Sequence, residues 1–173
     1  MLSPSLPDEL TTAIRERYEP AGLVLTDRPR REAESAEYAA CRFGLNGHQV
    51  AFRVARTTPT KLGQFVTIWK RETPDAEIAP LDAADGVALV VVGCADARHR
   101  GQFIFDRQSL IERGVFSVDG KGGKRAIRVY PPWSQPIAKD ALRTQQWQLR
   151  HFLPLDSRDR SAELRRLMVV TGE

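Results

Sequence analysis

The stretch Tyr38-Ala39-Ala40-Cys41-Arg42-Phe43-Gly44-Leu45-Asn46-Gly47-His48-Gln49-Val50-Ala51-Phe52-Arg53-Val54-Ala55-Arg56 holds two apolar-rich runs separated by Asn46-Gly47. Asn-Gly adopts the left-handed angles of a two-residue type I′ turn at little steric cost, so the stretch predicts an antiparallel hairpin with strands over 38–45 and 49–56. In the second strand, alternation puts Val50, Phe52 and Val54 on one face and Ala51, Arg53 and Ala55 on the other. The small alanines leave room beside the Arg53 guanidinium, either for a ligand or for a carboxylate such as Glu37. Thr57-Thr58-Pro59-Thr60-Lys61-Leu62-Gly63 then reads as a Pro/Gly turn into a third strand over 64–70. The three strands together predict an antiparallel meander.

Moving outward, Val87-Ala88-Leu89-Val90-Val91-Val92 is continuously apolar, the signature of a central strand covered on both faces. Gln102–Phe105 is a further strand, and Asp106 is placed to cap a short helix over 107–113 that Gly114 closes. Residues 120–123 read as a flexible glycine turn, followed by a strand over 126–130 that Pro131-Pro132 ends. Residues 138–152 have helical composition, with Ile137, Ala141, Leu142, Gln145, Leu149 and Phe152 approximating one face. A last helix spans 161–168, and a first one starts at Pro7-Asp8-Glu9, carries Leu10, Ile14 and Tyr18 on one side, and stops at Glu19-Pro20. Leu23 to Leu25 read as a short strand and Asp27 to Glu34 as a surface loop or helix start. The fold class expected is α/β (α+β), one domain over 1–173, with a mixed, mostly antiparallel sheet flanked by helices.

Composition removes several functions. With 173 residues, 42 % hydrophobic and 28 % charged, the chain matches a folded globular domain and lacks the bias of a disordered or fibrous one. The apolar run at 87–92 is far shorter than the roughly 20 residues of a membrane helix, so no membrane partner is expected. The N-terminal segment lacks the basic start and apolar stretch of a secretory signal, which predicts a cytoplasmic location. Cys41 and Cys94 are too few to staple the fold and are expected to be reduced and buried. No glycine-rich phosphate loop or Gly-x-Ser-x-Gly elbow is present, and His48, His99 and His151 stand far apart without metal-ligand spacing. No cofactor, metal ligand or catalytic residue is assigned.

The net charge of +4 is uneven: residues 49–150 carry 16 Lys+Arg against 10 Asp+Glu, whereas residues 1–48 carry 6 against 8. A basic centre suits an anionic partner, nucleic acid before membrane, with solvated surface charge as the alternative. One cluster, Arg53, Arg56, Thr57, Thr58, Thr60, Lys61, Gln64, Trp69, Lys70 and Arg71, combines hydroxyl and cationic donors around the Pro/Gly turn, an arrangement that can present donors to phosphate oxygens, with Arg53, Thr58, Thr60, Lys61, Gln64, Lys70 and Arg71 as the expected contacts. A second comprises Lys121, Lys124, Arg125 and Arg128 beside Tyr130 and Trp133, with Lys124 and Arg128 as the expected contacts. Cations next to exposed rings suit bases or a phosphate backbone, whereas tryptophans such as Trp147 more often serve the core.

The stretch Phe52–Arg71, with Gly101–Phe105, Gly123–Trp133 and Ala141–Gln148, closely resembles the signature blocks of MepB-like bacterial proteins. The four blocks occur in the same order, within a core of about 34–152. The family name derives from a gene cluster encoding a multidrug efflux pump and its regulator, and implies no reaction. The resemblance implies a restriction-endonuclease-like core and, by that analogy, DNA as ligand. An active nuclease of that kind needs two strand-borne carboxylates and a lysine two positions after the second. The chain has one Asp/Glu-x-Lys triplet, Asp119-Gly120-Lys121, and it falls in a glycine turn, while the position after the hairpin reads Val54-Ala55-Arg56. The expectation is therefore a non-catalytic domain that binds double-stranded DNA. The alternatives are a metal-dependent nuclease, an enzyme acting on a small phosphorylated molecule, or a protein-interaction module. Oligomeric state has no signature in the sequence.

Overall fold

The computed structural model describes residues 5–170. The first helix, α1 (Asp8–Ala13), runs into a π-helical turn at Ile14–Tyr18 and buries Leu10, Ile14 and Tyr18. The strands that follow are β1 (Leu25–Arg31), β2 (Cys41–Leu45), β3 (His48–Val54), the two-residue β4 (Arg56–Thr57), β5 (Gln64–Thr67), β6 (Val87–Ala95) and β7 (Arg100–Asp106). Helix α2 (Arg107–Glu112), strand β8 (Ala126–Val129), helix α3 (Lys139–Gln148), strand β9 (Phe152–Pro154) and helix α4 (Ser161–Leu167) complete the order.

The predicted hairpin forms. β2 and β3 pair from Cys41↔Phe52 to Leu45↔His48, and Asn46 and Gly47 turn the chain at φ 50° and 81°. The meander does not. The free edge of β3 is taken by β6, in parallel, while β5 leaves this sheet. The main sheet has six strands in the order β1-β2-β3-β6-β7-β9, and β4-β5-β8 make a second, three-stranded sheet. The reason lies in burial: β6 is apolar on both sides and buried from Val87 to Cys94. Only an interior position with both faces covered satisfies it. β5 supplies part of that cover, since Val66 packs into the same cluster as Val90, Val92, Phe103 and Phe105. On the other face, Phe43, Val50, Phe52, Val91 and Ile104 meet α1, the π turn and α4 through Leu10, Tyr18, Leu164 and Leu167. The mixed, mostly antiparallel sheet flanked by helices is thus present, and is compatible with the restriction-endonuclease-like core that the resemblance implies.

Three further expectations are corrected. Residues 27–31 belong to edge strand β1, whose charges and Pro29 suit a sheet border that must not recruit another strand. The helix expected over 138–152 ends at Gln148, and Phe152 begins a strand. Of its supposed apolar face, Ile137 is 87 % exposed and Leu142 and Leu149 also face solvent, because Gln145 and Gln148 turn inward instead. The glycine turn at 120–123 is pinned: Val118 and Lys121 exchange backbone hydrogen bonds, and the Asp82 carboxylate accepts from Gly120 N at 3.0 Å and Ser117 Oγ at 2.7 Å. The Gly120 amide, the Ser117 hydroxyl and the Ala84 amide hold the Asp82 pKa down at about 2.

Both cysteines are free and buried, as expected. Asp106 caps α2 as predicted, accepting from Ser109 N at 3.1 Å and Ser109 Oγ at 2.6 Å. Asp106→Ala should lower the unfolding free energy by about 1 kcal/mol in urea titration. An unchanged midpoint would show that the cap contributes nothing.

Candidate nucleic-acid interface

The two basic blocks of the sequence meet through β5 and β8, which pair from Gln64↔Val129 to Thr67↔Ala126. Alternation then sorts the side chains. Gln64, Val66, Ile127 and Val129 point into the core, and Phe65 and Arg128 face each other on the outer side. Arg56 pairs across β4 with the same Phe65, so one row across the small sheet reads Arg56, Phe65, Arg128. The Arg128 guanidinium lies 5.7 Å from the Phe65 ring centre, and its Nη1 donates to Leu62 O at 3.0 Å. That bond ties the 58–63 turn to β8. Gly63 allows the approach, because at φ 75° a Cβ there would stand 2.7 Å from both Val129 O and the Tyr130 ring.

The nine residues singled out in the sequence divide by environment. Lys61, Thr60 and Lys124 are exposed and Arg128 half-buried on this outer face or its rim, with Thr58 partly covered in the turn. Arg53 is on the expected face but only 2 % exposed: it donates to Thr67 O at 3.1 Å, Phe52 O at 2.9 Å and Glu32 Oε1 at 3.2 Å. Its partner is Glu32 rather than Glu37. Gln64 is buried and donates to Thr57 Oγ1 and Ala95 O, a bond between the two sheets. Lys70 is held at 2.8 Å by both Asp85 and Glu72. Arg71 is bound by Glu34, which also accepts from Trp69 Nε1. Arg53 and Gln64 therefore present no surface to a polyanion, and Lys70 and Arg71 present one already neutralised. Linear spacing could not separate them, because Glu32, Glu34 and Asp85, distant in the chain, are brought to these cations by the fold.

One further cation was not singled out in the sequence. Arg113, at the end of α2, stacks on Trp147 at 5.4 Å. Trp147 is half-buried, packing on Phe105 at 5.4 Å, which combines the core role expected of it with one exposed edge. Trp133 stacks on His99 at 5.0 Å and lies away from the row, near Phe152. Helix α3 closes the outer edge of β8 with side chains. Gln148 accepts from Tyr130 N and donates to Arg128 O, both at 2.9 Å, while Gln145 donates to Tyr130 O, Pro131 O and Ser134 O. Asp119 of the Asp-x-Lys triplet sits at φ 53° in the pinned turn, outside any strand.

No curated protein matches the chain. A solved structure described as the crystal structure of MepB superposes with a TM-score of 0.74 at 29 % identity, covering 87 % of this chain and 97 % of that one. The sequence model of the MepB-like family matches residues 32–154, a range that contains the hairpin, the small sheet with its basic outer face, the pinned turn and the glutamine clamp on β8. On that match the chain belongs to the MepB-like family.

Proposed function

We propose that the protein is a non-catalytic nucleic-acid-binding domain that contacts double-stranded DNA through the outer face of its small sheet. The observation that supports this reading is the cross-strand row Arg56, Phe65, Arg128, flanked by Lys61 on the turn and Lys124 at the foot of β8. Cations on a sheet that also exposes part of an aromatic ring can lie along a phosphate backbone while the ring contacts sugar or base edges. The binding would be chiefly electrostatic and independent of sequence.

Fluorescence anisotropy with a short duplex tests it. Four phosphate contacts, by Arg56, Lys61, Lys124 and Arg128, predict a log–log salt slope of about −3.6, and the Lys61→Ala/Lys124→Ala pair should reduce its size by about 1.8. Failure to bind duplex at about 50 mM salt rejects the reading. Supercoiled plasmid incubated with Mg²⁺ or Mn²⁺ should stay intact. Cleavage that disappears in Asp119→Ala would replace the binding module by a nuclease.

A further inference from the structure

Between β8 and α3 lies a recess of about 230 Å³ lined by Arg113, Lys124, Arg128, Tyr130, Thr144 and Trp147, together with backbone and apolar groups of both elements. Its lining contains three cationic side chains and no carboxylate. Several cations elsewhere are neutralised locally: Arg53 with Glu32, Lys70 with Asp85 and Glu72, Arg71 with Glu34, Arg160 with Asp156 and Glu163. Arg113, Lys124 and Arg128 have no carboxylate beside them in this recess, although Arg113 and Trp147 also border a neighbouring cleft that contains Asp106 and Glu112. Trp147 carries the Arg113 guanidinium on its ring, and is itself fixed by Phe105 and by His151, edge-on at 6.1 Å. Arg128 is restrained by Leu62 O and Phe65. The main chain at Lys124 is fixed by its amide, which donates to Val115 O at 2.8 Å. The distance between strand and helix is set by Gln148, which bonds the β8 backbone from α3.

We infer that this recess is a subsite for a phosphomonoester, the terminal phosphate of a nucleic acid strand or of a small phosphorylated molecule. The choice of a monoester over an internal diester follows from shape and charge. A phosphomonoester carries close to two negative charges at neutral pH and presents three terminal oxygens on one side, so it can enter a recess head-on and accept from more than one of the cationic residues that line it. An internal phosphodiester carries one charge, has chain on both sides, and suits the open sheet face next to the recess. The Thr144 hydroxyl adds a neutral donor beside the cations. In its nucleic-acid form this inference rests on the reading proposed above; the recess itself does not.

The test uses the full chain with two probes, inorganic phosphate and a blunt duplex with or without 5′-phosphates. Binding is read by heteronuclear NMR shifts at Thr144 and the Trp147 indole for phosphate, and by anisotropy for the duplexes. The phosphorylated duplex should bind roughly tenfold tighter than its hydroxyl counterpart, the worth of one or two charge-assisted hydrogen bonds, and Arg113→Gln should abolish the preference. Arg113 is exposed at a helix end, so the variant should fold, and Lys124→Gln provides an independent second removal. Saturable phosphate binding that Arg113→Gln removes, with no duplex binding, would support the subsite with a small phosphomonoester as its source and reject the DNA reading. Equal affinity for both duplexes without saturable phosphate binding would reject the subsite and leave the DNA reading standing. Phosphate binding unaffected by both substitutions would also reject it.

Discussion

Arg53→Ala should be the most damaging single change in the basic segment, lowering the unfolding free energy by about 3 kcal/mol and shifting the urea midpoint accordingly. Arg53 is among the largest fully buried side chains, so truncation removes its packed stem and leaves the Thr67 and Phe52 carbonyls without their donor. Glu32 loses one partner but retains Arg42 at 3.5 Å and is partly solvated, which keeps the loss at the lower end of the range for a broken buried pair. Burial pushes the Arg53 pKa down from its usual value, with Glu32 the main opposing influence, so the carboxylate stabilises the charged form that the site requires. Arg53→Met should recover part of the packing and none of the hydrogen bonds. Lys61→Ala provides the contrast: as an exposed change it should move stability by no more than about 0.5 kcal/mol while weakening duplex binding. If Arg53→Ala instead left the midpoint in place and weakened binding, the arginine would be a ligand contact and its assignment to the core wrong.

Gln148→Leu should cost about 2–4 kcal/mol, although it replaces a polar side chain by an apolar one of similar size in a position only 1 % exposed. The glutamine amide takes the place of a missing neighbour strand, accepting from Tyr130 N and donating to Arg128 O. Leucine can do neither, so an amide and a carbonyl next to the edge of β8 would lose their partners in a partly buried setting. Hydrogen exchange should localise the effect, with the Tyr130 amide losing protection ahead of the β6 and β7 amides. A midpoint shift under about 0.5 kcal/mol, or unchanged protection at Tyr130, would show that water replaces the clamp. Because Gln148 sets the spacing of β8 and α3, the variant should also weaken phosphate binding in the recess between them.

The two substitutions illustrate different degrees of legibility. The strand holding Arg53, the face on which it lies and the possibility of a carboxylate partner could all be read from alternation and neighbouring alanines. That the partner is Glu32 could not, because Glu32 follows β1, a segment too polar for a strand pattern and recognisable as one only once it pairs with β2. Gln148 was hidden for a related reason. Periodicity weights apolar residues, and α3 uses Gln145 and Gln148 inward while leaving Leu142 and Leu149 in solvent.

What linear order determined by itself is whatever depends on neighbours a few residues apart: the Asn46-Gly47 turn, the doubly covered strand at Val87–Val92, the Asp106 cap, the family blocks and the excess of positive charge in the middle of the chain. Tertiary structure alone decided that β3 pairs with β6 instead of β5, that Arg53, Lys70 and Arg71 spend their charge on acids, and that Arg113 joins Lys124 and Arg128 in one recess. Strand order and charge pairing are set by competition among distant segments for the same buried surface and the same counter-ions. That competition is resolved only when the whole chain is folded, and no local spacing encodes its outcome.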